Sequence, residues 1–122
     1  MECACISANI DEEAETLLAK QRTAKKQHTC HECGVQIKPG DQYWYDHIVF
    51  EGMHDRFKTC LDCKSVRDHL LCDFYFTMVW ETIGEHIEEY SEEMPWAKIS
   101  RLTPAARAKV CDMIEAVWEV EK

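Results

Sequence analysis

Two cysteine pairs decide how this chain folds: HTCHECG, from His28 to Gly34, and KTCLDCK, from Lys58 to Lys64. The Cys-x-x-Cys spacing lets both sulfurs of a pair turn toward one metal ion, and zinc binds four thiolates in a tetrahedron. Four protein ligands leave no open coordination position, which predicts an ion that stabilises the fold and does not catalyse. The predicted zinc ligands are Cys30, Cys33, Cys60 and Cys63.

The residues between the two pairs predict a β-hairpin. A turn is expected at Pro39-Gly40-Asp41, short strands at Tyr43–Tyr45 and Ile48–Phe50, and a further turn at Glu51-Gly52 between these strands or just after them. The segment CLDCKSVRDHLL, from Cys60, has apolar residues near helical spacing, so the second pair should begin a helix. A knuckle, a hairpin and a helix carrying the second pair make up the treble-clef arrangement.

Helices are predicted on both sides of this zinc module. Asp11 can cap a helix over residues 11–21, because acidic residues follow it and basic residues lie at the other end. Thr103-Pro104 should begin the last helix. Two apolar rows at helical spacing then predict an antiparallel helix pair. The rows are Phe76, Trp80, Ile83, Ile87 and Tyr90, and Ala106, Val110, Met113, Val117 and Val120.

These patterns predict an α+β fold, in which a treble-clef-like zinc module precedes an acidic antiparallel helical hairpin. The expected organisation is one domain over 1–122. It comprises an N-terminal segment with a helix (1–29), the four-cysteine zinc module (30–67) and the helical hairpin (68–122).

The chain has a formal net charge of −9 that is unevenly distributed. Residues 20–67 hold nine basic and six acidic residues, a net charge of +3, whereas the remainder holds five basic and seventeen acidic residues, a net charge of −12. Such a chain is repelled overall by phosphate backbones. The sequence has no apolar run of membrane-spanning length and no pattern of a signal peptide, which predicts a cytoplasmic protein with reduced cysteines and no membrane partner.

Four further cysteines lie outside the two pairs. Cys3, Cys5 and Cys72 could hold a second zinc ion, with Cys111 or His69 as the fourth ligand. The alternative for Cys111 is a buried thiol, because it flanks the apolar row of the last helix.

The segment TAKKQHTCHECGVQIKPGDQYWY, from Thr23 to Tyr45, resembles small zinc-finger-like proteins of bacteriophages and prophages. Those proteins share the basic lead-in, the Cys-x-x-Cys-Gly, the Pro-Gly-acidic turn and a later Cys-x-x-Cys before a helix. An early Cys-x-Cys and a cysteine before an aromatic-rich helix, here CDFYFTMVWE from Cys72, also recur. The resemblance spans about residues 1–90 and implies a phage-type origin and a metal, with no particular activity.

Among functions, the sequence favours a non-enzymatic protein-interaction module, an inhibitor of a host complex being one form of it. An acidic face without Lys or Arg over residues 81–93 could bind a basic host protein, although a solvated helix face is the alternative. That face comprises Glu81, Glu85, Glu88, Glu89, Glu92 and Glu93. Either apolar row also leaves a homodimer open.

Two other classes of function are alternatives. Asp46-His47 before the second cysteine pair resembles HNH nucleases, in which the histidine is a general base beside a metal, but no asparagine lies between His47 and Cys60. A nucleic-acid binder is the third hypothesis, and nucleic acid is a less favoured partner than protein. Its contacts would come from Lys20, Arg22, Lys25, Lys26 and Lys58.

Overall fold

The computed structural model describes residues 6–7, 14–90 and 94–120 as an α+β fold with small antiparallel sheets and several helices. The strands are β1 (Glu15–Thr23), β2 (His28–Thr29), β3 (Gln36–Ile37), β4 (Gln42–Phe50) and β5 (Met53–Cys60). The helices are α1 (Leu61–Leu70), α2 (Val79–Tyr90), α3 (Trp96–Ile99) and α4 (Pro104–Val120).

The predicted hairpin between the cysteine pairs is present as β4 and β5. The turn lies at Glu51 and Gly52, whose φ angles of 53° and 83° are typical of tight hairpin turns. The two expected short strands are one continuous strand, β4, and it ends just before this turn. Pairing on both sides of β4 gives the strand order β1-β4-β5, so β4 is the centre of the sheet.

The helix predicted over residues 11–21 is wrong, because Glu15–Thr23 form strand β1 along β4. Residues 11–13 lie outside the described residues. A short helix here would offer only Leu17 and Leu18 for burial, and both side chains are exposed even in the strand. Pairing with β4 instead satisfies the backbone groups of both strands and covers an open edge.

The helices enclose a separate apolar core. Helix α4 begins at Pro104, as predicted, whereas α2 begins after Phe76 and leaves Tyr90 exposed at its end. The buried face of α4 includes Ile114, while Met113 and Val117 are only partly buried. The side chains at the centre of this core are Val66, Leu70, Val79, Ile83, Ile87, Ala106, Val110 and Ile114.

Helices α2 and α4 run parallel, which corrects the expected antiparallel pair. The Lys109 ammonium lies 4.1 Å from the Trp80 ring centroid, and a Cβ built at Gly84 would lie 3.6 Å from the Met113 terminal methyl. Both contacts advance in the same direction along the two helices. The physical reason is the connection between them, since residues 91–103 are long enough to return the chain to the starting end of α2.

No helix among the described residues is both long enough and apolar enough to cross a membrane.

Candidate metal centre

The four cysteines of the two pairs come together at one point of the fold. One ligand atom from each of Cys30, Cys33, Cys60 and Cys63 lies within 4.8 Å of the others, and together they could hold a metal ion. Cys30 and Cys63 are buried, Cys60 is half-buried and Cys33 is exposed. The cluster therefore lies at the edge of the fold, with two ligands anchored inside it.

The first pair lies on a tight backbone turn. The Cys30 amide donates to the Val35 carbonyl at 2.9 Å, and the Gly34 amide donates to the Cys30 carbonyl at 3.0 Å. This turn requires a φ of 81° at Gly34, a conformation that residues with a Cβ rarely adopt. Gly34 therefore provides the backbone conformation that this turn requires.

The second pair joins the hairpin to a helix, as predicted. Cys60 ends β5 and is the N-cap residue of α1, and Cys63 lies in the first turn of that helix. A helix N-terminus favours negative charge because its first amides have no partner within the helix. Both sulfurs therefore lie where a thiolate is stabilised.

Polar hydrogens surround the sulfurs. The Cys30 sulfur accepts from the amides of Glu32 and Cys60, each at 3.4 Å, and the Cys63 sulfur accepts from the Trp80 indole N–H at 3.2 Å. Donors of this kind stabilise thiolates and orient them toward a metal. The sequence carries no signal for this role of Trp80, because only the packing of α2 brings the indole to Cys63.

The sulfurs strongly influence one another's ionisation. Hydrogen bonds from the Cys60 and Cys63 thiols hold the pKa of Cys30 far below its usual range. The same contact with Cys30 raises the pKa of Cys60 to about 12, and contacts with Cys30 and Cys60 raise the pKa of Cys63. Sulfurs this close together oppose one another's ionisation, whereas a divalent ion would favour ionisation of all of them.

The first cysteine pair also carries the cap of helix α2. The Glu32 carboxylate accepts from the amide of Thr77 at 2.7 Å and from the amide of Val79 at 3.1 Å. Burial raises the pKa of Glu32, although both of these hydrogen bonds act in the opposite direction. Because Glu32 lies between Cys30 and Cys33, the position of the knuckle and the start of α2 depend on each other.

Helix α4 is attached to the same region. The Thr103 hydroxyl donates to the Asp62 carboxylate at 2.6 Å, and the Thr103 amide donates to the Ser65 hydroxyl at 3.2 Å. Asp62 lies between the two cysteines of the second pair. Both long helices of the core therefore start beside the cysteine cluster, in agreement with their parallel direction.

The cysteines expected to form a second zinc site differ in their chemical state and surroundings. Cys72 is disulfide-bonded, in contrast to the expectation of reduced cysteines, and a sulfur in that state is not a thiolate ligand. Without Cys72 the expected second zinc site lacks one of its predicted ligands, and Cys3 and Cys5 lie outside the described residues. Cys111 is a free, partly buried thiol packed against the helical core.

The two residues that resemble an HNH nuclease lie on opposite faces of β4. Asp46 is 4% exposed and pairs with the Arg67 guanidinium at 3.0 Å, whereas His47 contacts His54 through ring nitrogens 3.0 Å apart. Adjacent residues of a strand point to opposite sides of the sheet, so these side chains do not face one common site. Asp46 instead stabilises the packing of α1 against the sheet.

The predicted acidic face is present on α2 as four exposed side chains: Glu81, Glu85, Glu88 and Glu89. Neither of the ion pairs found among the described residues involves this face. Glu92 and Glu93 lie outside the described residues.

Comparison of the chain with protein-family models, with curated proteins and with solved structures gives no match. The resemblance to bacteriophage proteins therefore stays a prediction, and function has to be argued from the site itself.

Proposed function

We propose that this protein is a non-enzymatic binding module whose fold is held together by one structural zinc ion. The observation that carries the proposal is the cluster of four cysteine sulfurs, because it offers a closed tetrahedral set with no place for a substrate. Zinc–sulfur bonds of about 2.3 Å imply sulfurs about 3.8 Å apart in an ideal tetrahedron. The Cys33 and Cys60 sulfurs are 3.8 Å apart, which supports zinc as the ion.

The surrounding elements support a treble-clef arrangement. The Cys30–Gly34 knuckle, the β4–β5 hairpin and helix α1 follow one another in the required order, and each ends or begins at a ligand pair. In this arrangement the ion would be bound by all three elements at once. Zinc would therefore supply folding energy that the small aromatic core beside the cluster cannot supply alone.

The exposed acidic face of α2 favours a second candidate, in which the module binds a basic protein surface. Its four glutamates have no ion-pair partner within the described chain, so their charge is directed to solvent or to a partner. We also propose a host protein as the partner, a phage-type origin, a cytoplasmic location and homodimerisation.

Metal analysis tests the zinc proposal directly. We expect about one zinc ion per chain in the purified protein, and we expect Cys33→Ser to lose it. Because loss of a structural metal costs on the order of 4–5 kcal/mol, the melting temperature of a chain this size should fall by roughly 15 °C or more.

The control is Cys111→Ser, a cysteine that lies outside the cluster. It should keep the zinc and cost only about 1 kcal/mol. A Cys33→Ser protein with full zinc content and an unchanged melting temperature would contradict the proposal. A content of two zinc ions per chain would contradict the proposal of a single ion.

A further inference from the structure

One face of the three-stranded sheet carries a groove of about 1010 Å³ whose charge is opposite to that of the whole chain. Six lysine and arginine side chains line this groove, which we call the basic groove, and none of the described residues in its lining is acidic. The six side chains are Lys20, Arg22, Lys25, Lys26, Arg56 and Lys58. The fold thus concentrates six of the fourteen basic residues of an acidic chain at one place.

The strand register creates this concentration. Lys20 of β1, Tyr45 of β4 and Lys58 of β5 are direct neighbours across the sheet, and Arg22 lies opposite Tyr43. Side chains opposite each other in antiparallel strands point to the same face. Two basic rows, one on β1 and one on β5, therefore flank a central row of tyrosines on β4. The distance from one basic strand to the other is about 10 Å.

The tyrosines in the centre of the groove are covered. Tyr43 is 4% exposed and Tyr45 is 7% exposed, and the Arg22 guanidinium lies 3.8 Å from the Tyr45 ring centroid. Their faces are not free to stack on bases, unlike the platforms of many single-strand binders. The groove therefore offers charge to a ligand and little else.

We propose that the basic groove binds the phosphodiester backbone of a nucleic acid, without reading its bases. A polymer of phosphates suits two rows of cations better than a single anion does, since the rows extend over several residues of two strands. The net charge of the chain does not prevent this, because at physiological salt charges beyond about 8 Å are largely screened. The local field of six cations then dominates in the groove.

This inference rests on the proposed zinc module, because the β4–β5 hairpin that carries Arg56 and Lys58 ends at the ligand Cys60. The α2 acidic face would lie outside this contact. The pairing of β1 with β4 brings Lys20 and Arg22 beside the hairpin.

The test measures binding of the full chain to a mixed-sequence 20-nucleotide DNA, as a fluorescent single strand and as a duplex, over a series of salt concentrations. With up to six phosphate contacts, the plot of log affinity against log salt should have a slope approaching about −5 for duplex and about −4 for single strand. The two DNAs distinguish the form of nucleic acid, and salt-dependent binding of either supports the proposal.

Two matched double variants locate the contact. Lys20→Gln/Lys58→Gln removes two charges from the groove, and Lys98→Gln/Arg101→Gln removes two charges outside its lining, so both bring the formal net charge from −9 to −11. We expect the groove variant to bind DNA roughly tenfold more weakly, and its plot of log affinity against log salt should be less steep by about 2. The other variant should bind DNA as the unmodified chain does. Equal effects of the two variants would overturn the proposal.

Polyglutamate provides the competing ligand. If it binds the groove as tightly as DNA does, or if neither DNA binds with a salt dependence, the nucleic-acid assignment is overturned. Zinc content and melting temperature, measured on the same samples, separate this result from a failure of the zinc module. A groove variant that keeps both and loses DNA binding supports the groove, whereas loss of zinc from the unmodified chain would contradict the proposed function instead.

Discussion

At the scale of single residues, Asp46 and Arg67 form a buried ion pair between the sheet and α1. Both side chains are 6% exposed, and their atoms approach to 3.0 Å. The Trp44 indole N–H also donates to Asp46 at 3.1 Å, and the Arg67 guanidinium lies 4.6 Å from the Phe74 ring centroid. This ion pair stabilises the packing of α1 against β4, the middle strand of the sheet. It thereby also positions the second cysteine pair, which lies at the start of α1.

Arg67→Met should therefore be strongly destabilising. It leaves the Asp46 carboxylate buried without its charge partner, which typically costs about 3–5 kcal/mol. Chemical denaturation of the zinc-bound protein measures this loss. The control on the same helix is Lys64→Met, whose ion pair with Asp68 is more exposed and should contribute less than about 1 kcal/mol.

A double variant distinguishes the buried charge from lost packing. Asp46→Leu/Arg67→Met removes both charges, so it should regain part of the stability lost in Arg67→Met, because two apolar side chains can replace a buried pair. If Arg67→Met lowers the free energy of unfolding no more than Lys64→Met does, the Asp46–Arg67 pair does not stabilise the packing of α1 on the sheet.

At the scale of elements, the cap of α4 links that helix to the cysteine cluster. The Thr103 hydroxyl accepts from the Ala106 amide at 3.4 Å and donates to Asp62 at 2.6 Å. Thr103→Ala should lower the free energy of unfolding by about 1–2 kcal/mol, since it removes the N-cap and leaves Asp62 without this donor. Thr103→Ser keeps the hydroxyl and should retain most of the stability.

Hydrogen exchange localises this effect. The amides of the first turn of α4 should exchange faster in Thr103→Ala than in Thr103→Ser, while the amides of β4 should change little. Uniformly faster exchange throughout the chain would mean that Thr103 stabilises the whole fold and not the start of one helix.

Elements defined by local signals could be predicted from the sequence, and elements defined by distant contacts could not. The cysteine pairs, the hairpin and the start of α4 at Pro104 depend on spacing and turn residues within a few positions. Strand β1 depends on pairing with residues of β4 that lie 19 to 34 positions away, and this pairing overrode local helical signals over Glu15–Thr23. The direction of α4 relative to α2 depends on the connection between the two helices. The apolar rows within the helices carry no information about that direction.

The same distinction applies to the candidate site. Four ligands follow from two short motifs, whereas Glu32 and Trp80 acquire their roles only when α2 packs beside the cluster. A glutamate inside a cysteine pair has no sequence signal that marks it as a cap for a helix 47 positions later. The basic groove likewise becomes visible only when the strand register places β1 beside the hairpin.

At the scale of the whole molecule, the cysteine cluster connects two cores. The smaller core surrounds Tyr43 and Cys63, the larger one lies among the helices, and the partly buried Trp80 packs against both. Glu32 caps α2, and Asp62 holds the start of α4. The loss of zinc should therefore destabilise the helices, although no residue of the larger core is a ligand.

Removal of zinc with a chelator at neutral pH should then unfold both parts together. We expect one transition that is the same by far-ultraviolet circular dichroism, which follows the helices, and by hydrogen exchange of β4 and β5. Zinc added back should restore both signals at one equivalent, because metal binding and folding are coupled. Trp80→Phe isolates the contribution of the indole N–H, because it keeps an aromatic ring between the cores and removes the hydrogen bond to Cys63. If the helices keep their circular dichroism signal while the sheet amides lose protection, the contacts through Glu32, Trp80 and Asp62 do not couple the two cores, and the helical part folds without the metal.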